Sequence, residues 1–212
     1  MEPQFWQQRW ALNELGFQLE AAHPLLCAQL AAMPASQKVF VPLCGKSPDM
    51  HALASRYQVI GAELAEIACR DFFAEAGLLP QITQQAQHQL WQSGAYQLWQ
   101  GDFFTLPAEA VAGVELIYDR AALIALPEPM RVQYAAKLQQ LLPTAQMLLI
   151  SLEYPQGEKQ GPPFVVSPEE IRTLFANAKV ELAGVHNITG QGFARRRFAT
   201  SQLVEKSWWI RW

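Results

Sequence analysis

Short apolar runs alternate with helix-forming segments along most of this chain, and this alternation constrains its fold more than any other feature. Four runs are rich in leucine, β-branched or aromatic residues and have the length of a buried strand: 38–45, 59–63, 114–118 and 147–152. Four segments have the spacing or end signals of helices: 47–55, 65–76, 128–142 and 168–176. The alternation predicts a mainly parallel sheet with helices on both faces, which is a Rossmann-like α/β fold.

Two further features predict antiparallel strands. The short runs 90–91 and 96–99 flank Ser93-Gly94 and predict a hairpin. The segments 180–188 and 203–210 are expected to form a terminal antiparallel pair.

The first 35 residues depart from this alternation, because they are predicted to be helical with an irregular joint near His23-Pro24. Their large rings recur at spacings that place them on one face of a helix, or of a helix and a turn: Phe5, Trp6, Trp10 and Phe17, together with Asn13. A tryptophan face attracts a cation by about 0.5 to 2 kcal/mol, so an aromatic lid over a cationic ligand is one hypothesis. Such a lid would also exclude water. Ordinary core packing is the alternative, and it is the commoner role of an aromatic stripe.

The composition is that of a globular protein of one domain, 1–212. At 212 residues, 50% hydrophobic and 17% charged, the chain can bury a core without disulfides or metal. Its net charge of -3 disfavours a broad nucleic-acid or membrane footprint. Cys27, Cys44 and Cys69 are widely spaced, which suits a reducing cytosol and argues against a zinc site. No leader pattern occurs, and no apolar run approaches the ~18 residues of a membrane span, so a cytoplasmic location is expected.

Candidate site residues are expected beyond the carboxyl ends of the strands, where such sheets bind ligands, in the loops 43–47, 63–66, 101–104 and 119–122. The turn Gly45-Lys46-Ser47 resembles the end of a phosphate loop, but Phe40 occupies the place of the required first glycine. The same turn has one glycine where a dinucleotide fingerprint needs three. These departures argue against nucleoside triphosphates and dinucleotides.

Glu63 ends the second predicted strand, about 20 residues after that turn, where a carboxylate can accept hydrogen bonds from both ribose hydroxyls. An adenosine ligand without phosphates keeps this carboxylate and relaxes the need for glycines, and S-adenosylmethionine is such a ligand. The alternative is an ordinary surface acid at a strand end. In either case the fold is expected to survive its removal.

Asp119 and Arg120 follow the third apolar run. An arginine at the end of a strand can hold a carboxylate through two hydrogen bonds or stabilise an anion. The adjacent aspartate makes a structural ion pair an equally good interpretation.

Five segments, in order over nearly the whole chain, resemble the bacterial thiopurine S-methyltransferases: 5–10 (FWQQRW), 39–47 (VFVPLCGKS), 61–64 (GAEL), 118–123 (YDRAAL) and 161–164 (GPPF). The resemblance implies a class I S-adenosylmethionine-dependent methyltransferase whose first 35 residues form a helical lid region. It implies a cytoplasmic and usually monomeric enzyme that methylates the sulfur of aromatic and heterocyclic thiols. Selenium and tellurium compounds are implied as further substrates.

Carried over position by position, the resemblance assigns cofactor contacts to Trp10, Leu43, Glu63 and Arg120, with Asp102 and Phe103 beside the adenine. It assigns Phe17 to the substrate, and Arg196 is a further candidate for a substrate contact. No catalytic residue or metal is implied, because a soft and partly ionised thiolate needs no strong base and positioning dominates. One alternative is a class I methyltransferase for another small-molecule acceptor, with Asp119 as its base if the acceptor atom is oxygen or nitrogen. The other alternative binds the cofactor without turnover.

Overall fold

A computed structural model describes residues 3–191 and 198–212 of the chain. The chain forms two compact units, Met1–Tyr118 and Asp119–Trp212. Within the described residues, no helix is long and apolar enough to cross a membrane.

The first unit combines helices with a six-stranded array. Its helices are α1 (Pro3–Ala11), α2 (Pro24–Leu30), α3 (Asp49–Ala54) and α4 (Glu66–Glu75). Its strands are β1 (Lys38–Pro42), β2 (Gln58–Glu63), β3 (Gln81–Gln85), β4 (His88–Ser93), β5 (Tyr96–Gln100) and β6 (Leu116–Arg120), the last of which ends in the second unit. They lie in the order β3-β4-β5-β2-β1-β6.

Parallel pairing occupies the middle of this array. β2 pairs in parallel with β1 and β5, and β1 pairs in parallel with β6. Every residue of β1 after Lys38 is buried, as expected for a strand covered on both faces. Gly61 in β2 is required by packing, because a Cβ there would lie 2.6 Å from Leu98 and 2.7 Å from the Cys44 sulfur. The α/β fold class predicted from the sequence is confirmed.

Antiparallel strands flank the parallel ones. β4 and β5 form the predicted hairpin, with Ser93 opposite Tyr96. β3 adds a further antiparallel strand that the sequence did not predict. Its residues are exposed or half-buried and largely glutamine, so it lacks the apolar alternation that identifies a strand.

The second unit contains the helices α5 (Glu128–Leu141) and α6 (Pro168–Leu174) and the strands β7 (Gln146–Glu153), β8 (Lys179–Asn187) and β9 (Val204–Arg211). β9 lies between β7 and β8 and is antiparallel to both. The predicted terminal pair is therefore confirmed. Its register shifts between Leu182 and Gly184.

Three predicted boundaries were wrong by a few residues. The sequence Ser47-Pro48-Asp49 predicts a helix that starts with Ser47 as its N-cap; α3 begins at Asp49 after Pro48, although the Ser47 hydroxyl accepts the Asp49 N–H at 3.3 Å. The strand predicted at 38–45 ends at Pro42, because the chain turns at Leu43. The strand predicted at 114–118 lies two residues later, so Asp119 and Arg120 belong to β6 and do not follow it.

Candidate active site

The loop after β1 is built around two left-handed backbone positions. Leu43 has φ 47° and Gly45 has φ 55°, which bends the chain sharply beyond Pro42. A left-handed conformation costs a leucine about 1 to 2 kcal/mol, so the surroundings must hold it. One restraint is the Cys44 amide, which donates to the Ala62 carbonyl in β2 at 2.9 Å.

The Glu63 carboxylate joins this loop to the loop after β2. One oxygen, Oε2, accepts the Gly45 N–H at 2.8 Å, and Oε1 accepts the Ala65 N–H at 2.7 Å. The side chain is 6% exposed. The interpretation of Glu63 as a surface acid was therefore wrong, and because both bonds hold loops in place, loss of this side chain is expected to lower the stability of the fold.

The same carboxylate keeps acceptor capacity for a ligand. Each carboxylate oxygen has about two lone-pair sites, and each accepts one backbone N–H here. Burial raises the pKa of the Glu63 carboxyl, while the N–H groups of Ala65 and Gly45 lower that pKa. The carboxylate fits a ribose diol, because the two hydroxyl groups can donate hydrogen bonds to its remaining lone pairs.

Trp10 packs on both loops. Its side chain is 5% exposed and contacts Ala65 and Ala68, with Phe17 packed against the same cluster. A Cβ added to Gly45 would lie 3.2 Å from the Trp10 ring, so glycine is what lets the indole approach the loop. Gln18 strengthens this contact by donating from Nε2 to the Lys46 carbonyl at 2.9 Å. The N-terminal segment is thus both packed and in contact with the β1 loop.

The aromatic residues of the N-terminal segment form the single cluster predicted from their spacing. Phe17 lies beyond the end of α1, yet its ring centroid is 5.7 Å from that of Trp6 and 5.8 Å from that of Trp10. The helix-and-turn arrangement is confirmed, but the irregular joint is longer than predicted, since α1 ends at Ala11 and the next helix begins only at Pro24. His23 caps α2, because its Nδ1 accepts the Leu25 N–H at 3.1 Å.

The loop after β5 is tied to the same edge of the sheet. The Gly101 amide donates to the backbone carbonyl of Glu63 at 2.8 Å. Asp102 is exposed and caps a short 3-10 turn, accepting the Phe104 N–H at 2.9 Å. Phe103 is buried, and its ring stacks with Phe40 at 6.4 Å between centroids. The structure therefore brings Trp10, Glu63 and the 101–103 loop to adjoining strand ends.

Two candidates belong to other parts of the chain. Arg120 is half-buried at the end of β6, at the start of the second unit. Arg196 lies outside the described residues.

Asp119 is a structural carboxylate. It is fully buried, and its Oδ1 accepts the N–H groups of Ala122 at 3.3 Å and Leu123 at 3.2 Å. Its Oδ2 accepts the Tyr134 hydroxyl at 2.6 Å. These bonds hold the turn after β6 against α5, and they leave the hypothesis of a catalytic base at Asp119 without structural support.

Burial raises the pKa of Asp119 from 3.8 to about 6, and its hydrogen bonds oppose this rise. The folded protein therefore binds this proton more tightly than the unfolded chain, so the contribution of Asp119 to stability falls as pH rises from about 4 to about 6. Between about pH 4 and pH 6, we expect the unfolding free energy of the protein to fall by about 3 kcal/mol more than that of Asp119→Asn. Denaturant unfolding at several pH values measures it.

Tyr134→Phe provides the control for this pH dependence. It removes a hydrogen bond that lowers the Asp119 pKa, so the fall in stability should extend to higher pH. Parallel pH curves for the protein and Asp119→Asn would contradict the assignment.

Sequence reasoning missed a buried carboxylate in the first unit. By sequence alone, Asp49 is an acid in the first turn of the helix predicted at 47–55. Its Oδ1 accepts the His23 N–H at 2.6 Å, and its Oδ2 accepts the Tyr118 hydroxyl at 2.9 Å. It therefore joins the starts of α2 and α3 to β6. No local signal predicts this role, because both partners are distant in sequence.

The comparison with solved structures defines the class of fold. A SAM-dependent methyltransferase from Anabaena variabilis matches 99% of this chain and 94% of its own, with TM-score 0.65 and 16% identity. The N-terminal domain of EvdMO1, solved with SAH bound, matches all of this chain and 97% of its own, with TM-score 0.57 and 12% identity. The fold is that of the S-adenosylmethionine-dependent methyltransferases.

Sequence comparison narrows the class to one family. The chain belongs to the thiopurine S-methyltransferase (TPMT) family, whose model matches residues 1–211. The thiopurine S-methyltransferase of Vibrio cholerae serotype O1 is 49% identical over 84% of this chain and 83% of its own. That of Pseudomonas fluorescens (strain Pf0-1) is 40% identical over 100% of this chain and 99% of its own. The family predicted from the sequence motifs is confirmed.

Proposed function

We propose that this protein transfers the methyl group of S-adenosylmethionine to the sulfur of aromatic and heterocyclic thiols. Membership of the thiopurine S-methyltransferase family over residues 1–211 supports this reaction. The observation that carries the proposal is the buried Glu63 carboxylate at the end of β2, bonded to the loops on either side and able to accept further hydrogen bonds.

The proposed cofactor site uses residues at the strand ends. Glu63 would hold the ribose hydroxyls, and Asp102 and Phe103 would flank the adenine. Trp10, Leu43 and Arg120 are proposed as the remaining cofactor contacts. When bound, S-adenosylmethionine supplies an electrophilic methyl group on a sulfonium centre.

The chain is proposed to act by positioning. Heterocyclic thiols are substantially ionised near neutral pH, so their sulfur needs no strong base. The three buried carboxylates described above, Asp49, Glu63 and Asp119, each accept hydrogen bonds from backbone N–H groups. Holding a nucleophile and a methyl group at near-attack distance can lower a barrier by several kcal/mol. Trp10 and Phe17 are proposed to exclude water, with Phe17 and Arg196 contacting the acceptor.

We further propose that the chain works as a single domain, 1–212, with residues 1–35 as a lid region. A monomeric and cytoplasmic enzyme without nucleic-acid or membrane partners fits the net charge of -3 and the three unpaired cysteines, of which Cys44 and Cys69 are buried. Selenium and tellurium compounds are proposed as additional acceptors.

Ligand binding tests the proposed cofactor. We expect S-adenosylmethionine and S-adenosylhomocysteine to bind, and NAD and ATP to bind more weakly, because the β1 turn lacks the glycines that let a backbone approach a pyrophosphate. Calorimetric titration with the four ligands measures this order. Tighter binding of NAD than of either adenosyl ligand would contradict the assignment.

Turnover tests the proposed reaction. A panel of aromatic thiols, selenite and tellurite should yield methylated products that depend on S-adenosylmethionine, with the matching phenols as controls for an oxygen acceptor. Methylation of the phenols in preference to the thiols would favour the alternative acceptor class. Cofactor binding with no product from any acceptor would favour a binding module.

A further inference from the structure

We propose that His88 is a positioning residue for the adenine end of the cofactor site, an inference that rests on the function proposed above. His88 is the first residue of β4 and is 2% exposed. A polar ring so deeply buried needs a hydrogen-bond partner. The partner of its Nε2 is the backbone of the loop that the proposal places beside the adenine.

Strand register brings His88 to that loop. β4 and β5 are antiparallel, with Gln89 opposite Gln100. The residue before Gln89 therefore faces the residue after Gln100, so His88 lies beside Gly101. This placement puts the imidazole where β5 ends and the 101–103 loop begins.

The His88 ring makes a directed bond to the loop. Its Nε2 lies 3.1 Å from the backbone carbonyl oxygen of Asp102. A carbonyl oxygen can only accept, so Nε2 carries the proton and donates. The bond fixes the peptide that follows Asp102, which is the peptide that begins the turn containing Phe103.

Close packing of the His88 ring against Gly101 also holds this loop in place. Gly101 has φ 152°, and a Cβ there would lie 2.4 Å from His88 Cδ2 and 3.0 Å from Nε2. The ring thus packs directly on the Gly101 backbone, whose amide in turn donates to the Glu63 carbonyl. His88 and Glu63 hold the loop from two sides, one at Asp102 and the other at Gly101. Removing the imidazole should loosen the adenine end of the site and leave the ribose carboxylate in place.

Three substitutions separate the hydrogen bond from the packing. His88→Leu preserves most of the bulk of the side chain and removes the N–H donor. His88→Asn keeps a polar side chain that is too short to reach the Asp102 carbonyl. His88→Gln keeps an N–H near the position of Nε2. We expect the Kd for S-adenosylhomocysteine to rise about tenfold in His88→Leu and His88→Asn, and to stay within about threefold in His88→Gln.

Steady-state kinetics distinguish positioning from loss of folded protein. The KM for S-adenosylmethionine should rise in parallel with the Kd, while the KM for the thiol and kcat at saturating cofactor stay within about twofold. A smaller folded fraction would lower kcat and leave both KM values unchanged.

His51→Leu is the matched control. The Nδ1 atom of His51 lies 2.9 Å from the Tyr96 hydroxyl, so this imidazole also bonds to a neighbouring side chain. Tyr96 lies at the end of β5 that is opposite to the 101–103 loop. His51→Leu should leave the KM for S-adenosylmethionine unchanged.

The outcomes separate this inference from the proposed function. If the unaltered protein fails to bind S-adenosylhomocysteine, the proposed function is wrong. If it binds, and His88→Leu and His88→Asn keep its affinity, only the role of His88 is overturned. Equal weakening in His88→Gln and His88→Leu would also overturn it, because the donated bond would then have no effect. Should His88→Leu fail to fold, His88→Asn and His88→Gln carry the comparison.

Discussion

Replacing Glu63 with alanine is expected to weaken both the cofactor complex and the fold. Loss of the charge-assisted bonds to the ribose should raise the Kd for S-adenosylhomocysteine by about 30- to 150-fold, which corresponds to about 2 to 3 kcal/mol. The same substitution leaves the buried N–H groups of Gly45 and Ala65 without their acceptor. We therefore expect the unfolding free energy to fall by about 2 to 4 kcal/mol.

Two variants control this experiment. Glu63→Gln keeps one carbonyl oxygen and turns an NH₂ group toward the second backbone donor, so it should preserve part of the stability and still lose affinity. Glu66→Ala removes an exposed acid from the first turn of α4 and should change neither quantity by more than a small amount. Calorimetry on the folded fraction and denaturant unfolding give the two measurements. Cofactor affinity within about threefold of the unaltered protein would remove Glu63 from the site.

Replacing Trp10 with alanine is expected to lower stability and cofactor affinity together. The indole is buried against Ala65, Ala68 and the Gly45 backbone, so its loss should cost about 3 to 5 kcal/mol of unfolding free energy. It also removes the surface that packs on the β1 loop. The Kd for S-adenosylhomocysteine should therefore rise about tenfold, because the loop must be ordered again on binding.

Trp6→Ala is the comparison that separates the two effects of Trp10. Trp6 lies on the same helix and contacts Phe5 and Phe17, and it is half-buried. Trp6→Ala should lower the unfolding free energy by less than Trp10→Ala and leave the Kd for S-adenosylhomocysteine nearly unchanged. If Trp10→Ala loses stability but its folded fraction keeps full affinity, Trp10 is a packing residue and the lid hypothesis fails.

Much of the fold could be predicted because its signals are local. The strands β1, β2 and β7 contain continuous apolar runs, and the hairpin has the turn signal Ser93-Gly94 between two short segments that each contain a Leu-Trp pair. β3 was not predicted, because its exposed glutamines show no apolar alternation. β6 was displaced because its last two residues are charged, which is typical of a loop and unusual in a strand.

The residues of the candidate site also differ in whether the sequence near them carries a signal. Glu63 was found from its spacing after the turn, since a strand and helix of ordinary length place the end of β2 beside the end of β1. The resemblance added Trp10, Leu43 and Arg120, which spacing alone did not identify.

Local sequence was sufficient for the α/β fold class and for placing Glu63 at the end of a strand, because hydrophobic periodicity acts over short stretches of chain. The bonds made by that carboxylate, and the roles of Asp49, His88 and Asp119, required the folded structure. Glu63 and Gly45 are 18 residues apart, Tyr118 and Asp49 are 69 apart, and Tyr134 and Asp119 are 15 apart. A buried polar group is satisfied by whichever partner the packing brings within about 3 Å, and no pattern in the neighbouring residues encodes that partner.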